Sequence, residues 1–158
     1  MFGFGKTKMG VHSLVNDQWI KLTAPERISI WRSFVDQSND EELKKVDLDK
    51  FCNCMLGAYV QILTIAVMNT QSAMATMHFG LNLGKKLEAN NQAHKYWEEY
   101  HKSFGSDRND GFQAMANTFQ DMMMPLEISS ETVDQIYNEF VQLLLSMQQV
   151  LERVKIVP

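Results

Sequence analysis

The sequence predicts a single-domain, all-α bundle of five or six helices closed by a long amphipathic C-terminal helix. Three observations carry this. Val133, Ile136, Phe140, Leu143, Met147, Val150, Val154 and Val157 step by threes and fours without a break, the spacing of one helix face. From Phe51 to Gly84 there is no Asp, Glu, Lys or Arg, as expected of helices enclosed by other helices. No stretch alternates apolar and polar residues as a half-buried strand does.

A chain of 158 residues suits one domain and buries about two thirds of its unfolded surface without staples. Its 45% apolar and 22% charged residues are those of a soluble globular protein. The net charge is -4 and the basic residues are scattered, so no helix face carries the cationic stripe that a nucleic acid needs. Cys52 and Cys54 lie about 200 degrees apart on a helix, which prevents them from bonding each other or sharing a metal and fits a reduced compartment. Phe2, Phe4, Lys6 and Lys8 alternate with glycines and lack the apolar core of a signal peptide. Residues 1–13 therefore read as a flexible tail, residues 14–158 as the domain, and the setting as cytoplasmic.

In chain order, Leu14, Val15, Gln18, Trp19 and Leu22 outline a first short helix anchored by Trp19. Thr23-Ala-Pro-Glu26 has the form of a capping box with proline in the first turn, opening a second helix that buries Ile28, Trp31, Phe34 and Val35. Residues 37–49 are polar, a loop with one helical turn around Glu41–Lys45. A third helix follows with two apolar stripes, one through Leu48, Phe51, Met55, Ala58, Ile62 and Ile65, the other through Leu56, Val60, Leu63 and Val67. Its segment 51–68 just reaches membrane-spanning length, but Asn53, Gly57, Gln61 and Thr64 suit a protein core better than lipid.

Asn69-Thr-Gln-Ser72 interrupts that run, and a break is expected there. A helical pattern then continues through Leu87, His94, Trp97 and His101 to Phe104. Gly105–Gly111 is a loop in which Asp107, Asn109 and Asp110 can each cap the next helix, which buries Phe112, Met115, Phe119 and Met122 and stops at Pro125. The last helix runs from Ser129 to about Val157. Ser129 or Ser130 caps it, Glu131 and Asp134 complement its dipole, and Ile128 staples onto Val133.

Candidate chemistry is sparse. His94, Glu98 and His101 face one way on a helix, and Glu98-Glu-Tyr-His101 has the Glu-x-x-His spacing of a bundle metal site, so a metal- or haem-binding bundle is one alternative. The second Glu-x-x-His that a di-iron site requires is missing. Eleven methionines are many for this length, and flexible thioethers make adaptable binding surfaces as well as core. Met115, Phe119, Met122, Met123, Met124 and Leu126 form the candidate partner-binding surface, because the run at the helix stop is hardest to bury on one face. The heptad-like C-terminal line is a candidate homodimer seam. There is no glycine-rich phosphate loop, no Gly-x-Ser-x-Gly and no His-Glu-x-x-His. The expectation is a cytoplasmic, non-enzymatic protein-binding module of the adaptor, secretion-chaperone, immunity or inhibitor kind, without cofactor or nucleic acid. Membrane association through residues 51–68 is the other alternative.

Overall fold

A computed structural model of the chain describes residues 5–106 and 110–158; Phe2, Phe4, Asp107 and Asn109, singled out above, lie outside them. The described residues form seven α-helices, a 3₁₀ turn at Leu43–Lys45 and a two-stranded sheet. The all-α class holds, with seven helices where five or six are expected.

The helix Leu48–Thr70, α3, is the centre, in contact with the helices on every side. Asp47 starts it by accepting a hydrogen bond from the Lys50 amide at 2.8 Å. By length and composition α3 could cross a membrane, but 78% of its most apolar window is buried inside the bundle. Its polar residues are satisfied there. The Thr64 hydroxyl donates to the Val60 carbonyl at 2.9 Å, the Asn53 amide donates to the Asp49 carbonyl at 2.9 Å, and Gln61 Oε1 lies 3.2 Å from His101 Nδ1.

The break expected near Asn69 falls at Gln71, which is extended, and Ser72 caps the next helix, α4 (Ala73–Glu88), by accepting from the Ala75 amide. The pattern that continues to Phe104 is divided at Asn90. The Asn90 side chain accepts from the Ala93 amide at 3.1 Å and starts α5 (Asn91–Ser106), which accounts for an additional helix. Asp110 caps α6 (Gly111–Met122) through the Phe112 and Gln113 amides and accepts the Tyr137 hydroxyl at 3.0 Å.

Before these come α1 (Val11–Thr23) and α2 (Pro25–Asp36). Pro25 opens α2 as expected, but Thr23 does not cap it. Its hydroxyl turns back to the Trp19 carbonyl at 2.8 Å, and Ala24 takes the cap position without a side-chain bond. Trp31 and Val35 are buried, Trp31 meeting Tyr59 edge-on at 5.3 Å, whereas Ile28 is exposed rather than core.

Both chain ends differ from expectation. The last helix, α7 (Ser130–Leu151), begins on Ser129 but stops at Leu151, and Val154–Val157 is a strand, β2. It pairs in parallel with β1 (Thr7–Gly10), with Thr7 opposite Val154 and Gly10 opposite Val157. The segment expected to be a tail through residue 13 thus supplies a strand and the first turn of α1, with Val11 buried. Gln71, in the gap between α3 and α4, holds this corner. Its Nε2 donates to the Leu151 and Val154 carbonyls at 3.0 and 3.1 Å, and its Oε1 accepts from the Ile156 amide at 3.1 Å. The three-and-four spacing of Val154 and Val157 is met equally by a short strand of valine and isoleucine, residues that favour strands.

Candidate functional site

The six residues expected to bind a partner do not form one surface. Met115, Phe119 and Met123 are buried completely, because a step of four places all three on the inward side of α6 and its C-terminal turn, where Phe119 meets Phe51 edge-on at 5.9 Å. Met122 and Leu126 are half-buried, and Met124 alone is open, at 66% exposure. The expected patch is therefore mostly core.

The exposed methionines lie elsewhere. On α4, Met74, Met77 and Leu81 are 65%, 57% and 62% exposed, and they step by three and four along one face. The opposite face, Ala75, Phe79, Leu83 and Leu87, is buried. Met68, on the last turn of α3, is exposed as well. The sequence carries this signal in ambiguous form. A helix without charge before its last turn at the rim of a bundle must show apolar surface, yet nothing in the sequence says which side of α4 stays open.

His94, Glu98 and His101 share a side of α5 but not a site. Seven residues of helix set the two backbone positions about 10 Å apart along the axis. Trp97 fills the interval, with ring centroids 5.6 Å from His94 and 5.2 Å from His101. His94 Nδ1 is 3.9 Å from Glu98 Oε1, and His101 turns to Gln61. Among the described residues no three His, Cys, Asp or Glu side chains gather where they could hold a metal ion.

The C-terminal line, considered as a dimer seam, is spent largely within the chain. Val133, Ile136, Phe140 and Leu151 are buried, Leu143 and Met147 half-buried, and Val150 and Leu145 remain exposed. The most strongly perturbed groups have structural partners. Cys54 Sγ lies 3.0 Å from the Tyr100 hydroxyl, and burial pushes the thiol up to about 12 and the phenol well above its usual value, so neither ionises near neutrality. The other thiol, Cys52, is partly buried and also raised by burial.

Asp40 is a well-connected carboxylate. Its Oδ2 accepts from the Ser129 amide at 2.9 Å and the Thr132 hydroxyl at 2.7 Å, and its Oδ1 from the Glu42 and Leu43 amides at 3.0 and 3.2 Å. Burial alone would raise its pKa, but these donors prevail and hold it at about 2. Asp40 so ties the 3₁₀ turn to the N-terminus of α7, where its charge also suits the helix dipole.

The fold defines the class of protein as an all-α bundle around one buried helix, with an uncharged helix face left open. Comparison with known protein families, with curated proteins and with solved structures finds no match.

Proposed function

We propose that this chain is a cytoplasmic, non-enzymatic protein-binding module, of the adaptor, secretion-chaperone, immunity or inhibitor kind, whose interface is the outer face of α4. One observation carries the reading: Met74, Met77 and Leu81 stand more than half exposed on one face of a helix that has no charged residue before Lys85, with Met68 exposed on the helix before it. A row of apolar side chains at steps of three and four is what an amphipathic helix of another protein packs against. Thioethers adapt to partners of irregular shape. Binding rather than catalysis fits the remaining groups, since the perturbed carboxylate, thiol and phenol are each engaged in holding the fold.

The test is capture from native cell lysate by the tagged chain, with mass spectrometry of what is retained. Met77→Asp with Leu81→Asp abolishes capture of a stoichiometric partner while helical circular dichroism is unchanged, and Met124→Asp leaves capture intact. Retention of the same partner by the double variant refutes the assignment to α4.

A further inference from the structure

Between α1, α2, α3 and α7 the surface opens into a cleft of about 210 Å³, walled by Leu22, Leu63, Leu143 and Met147 and carrying Lys21 and Arg27. No acidic residue lines it, although acidic residues outnumber basic ones in the chain by 19 to 15. Neither Lys21 nor Arg27 forms an ion pair among the described residues, whereas Lys44, Lys45 and Lys102 each pair with a glutamate one helical turn away. Arg27 is also held in place. Its guanidinium carbon sits 5.4 Å from the centroid of the Tyr59 ring, a side-chain hydrogen bond joins the two residues, and Glu139 borders with Arg27 a second, smaller pocket beside Tyr59. With Lys21 beside it and no acidic residue in the lining, the cleft presents two cationic side chains to whatever occupies it.

We propose that this cleft binds a small amphipathic carboxylate, with its apolar body against Leu22, Leu63, Leu143 and Met147 and its carboxylate on Arg27, assisted by Lys21. Arginine suits the head group because its planar fork matches the two oxygens of a carboxylate. The size of the body follows from the volume. An apolar cavity of roughly 150 Å³ holds benzene, so a cleft of 210 Å³ takes about eight heavy atoms. A bare inorganic anion leaves the apolar wall wet, and a neutral hydrocarbon leaves both cations without a counter-charge. The site is separate from the α4 face and does not depend on it.

The experiment is calorimetric titration of the full chain with sodium octanoate, beside 1-octanol and octylammonium chloride. Octanoate saturates at one site, about tenfold or more tighter than 1-octanol, and octylammonium does not bind. Arg27→Gln lowers octanoate affinity about tenfold and leaves 1-octanol unaffected. Since Arg27 also packs on Tyr59, the exposed Lys21→Gln provides the charge test independently of folding, with a loss of about threefold or more. Equal binding of octanoate and 1-octanol, octanoate affinity unchanged in Lys21→Gln and in a folded Arg27→Gln, or the absence of saturable octanoate binding overturns the proposal.

Discussion

Replacing Gly57 by alanine should destabilise the protein, although the same change in most exposed helices stabilises it. Gly57 sits in the middle of α3 with an ordinary negative φ, so conformational freedom is not why glycine is there. Contact is the reason. A Cβ built on Gly57 lies 2.7 Å from the Trp97 backbone nitrogen, 3.0 Å from Tyr96 Cβ and 3.1 Å from the Ala93 carbonyl oxygen, all on α5. Two of the three are backbone atoms that cannot swing aside, so α5 must withdraw by about 0.8 Å to restore ordinary contact. Overpacking of this kind costs roughly 1–3 kcal/mol or more, and the helix propensity gained from alanine returns about 1 kcal/mol. Because two of the contacts are with fixed backbone, the upper half of that range applies, and the net expectation is a loss of about 1–2 kcal/mol, which for a chain of this size is a melting-temperature drop of roughly 2–8 °C. Gly80→Ala and Gly84→Ala on α4 are the controls. There a Cβ meets nothing within 4 Å, and each should gain about 0.5–1 kcal/mol. Urea unfolding followed by circular dichroism reads all three, with the slope unchanged. If Gly57→Ala stabilises as much as Gly80→Ala does, the close α3–α5 approach is wrong.

Two further perturbations address the joints of the fold. Gln71→Ala removes three hydrogen bonds to the α7–β2 corner, each worth about 0.5–1.5 kcal/mol, and should speed amide exchange at Ile156 and across the β1–β2 pair before the helices respond; unchanged protection there refutes the clamp. Asp40 has a folded pKa of about 2 against an unperturbed 3.8, so its contribution is fully present above pH 5 and is lost as the pH falls through 2. Allowing for its partial exposure, wild type should lose about 1–2 kcal/mol more than Asp40→Asn between pH 5 and pH 2 in urea titrations, and equal losses in the two proteins contradict the assignment.

Much of the fold is legible in the sequence because its signals are local. Asp110 and Ser129 each cap the helix that follows by accepting an amide a few residues on, and such a bond needs no distant partner, whereas Thr23, also placed to cap, turns back to its own helix. The uncharged run from Phe51 likewise requires enclosure, which α3 receives. The candidate sites are less legible, and the reason differs for each. His94 and His101 share a helix face, but Trp97 stands between their rings and His101 turns to Gln61 on α3, a contact that only the packing of the two helices supplies. No local rule sorts the methionines either. Met115 and Met123 are core and Met74 and Met77 are open, because each helix is apolar on more than one side and only its neighbours choose which side is covered.

By itself, then, the sequence determined the helical class, the helix starts that a short polar side chain can specify, and the identity of the buried central helix. Tertiary structure decided where α7 ends, since the carbonyls of Leu151 and Val154 are taken by Gln71 from 80 or more positions earlier in the chain and Val154–Val157 finds a strand partner at the opposite terminus. It also decided which apolar faces stay open and placed Lys21 and Arg27 in a cleft whose lining holds no carboxylate. The physical cause is common to all of these. Helix periodicity encodes that a face is apolar, but a strand pairing, a long-range hydrogen bond or an unmet charge depends on what the rest of the chain places opposite it.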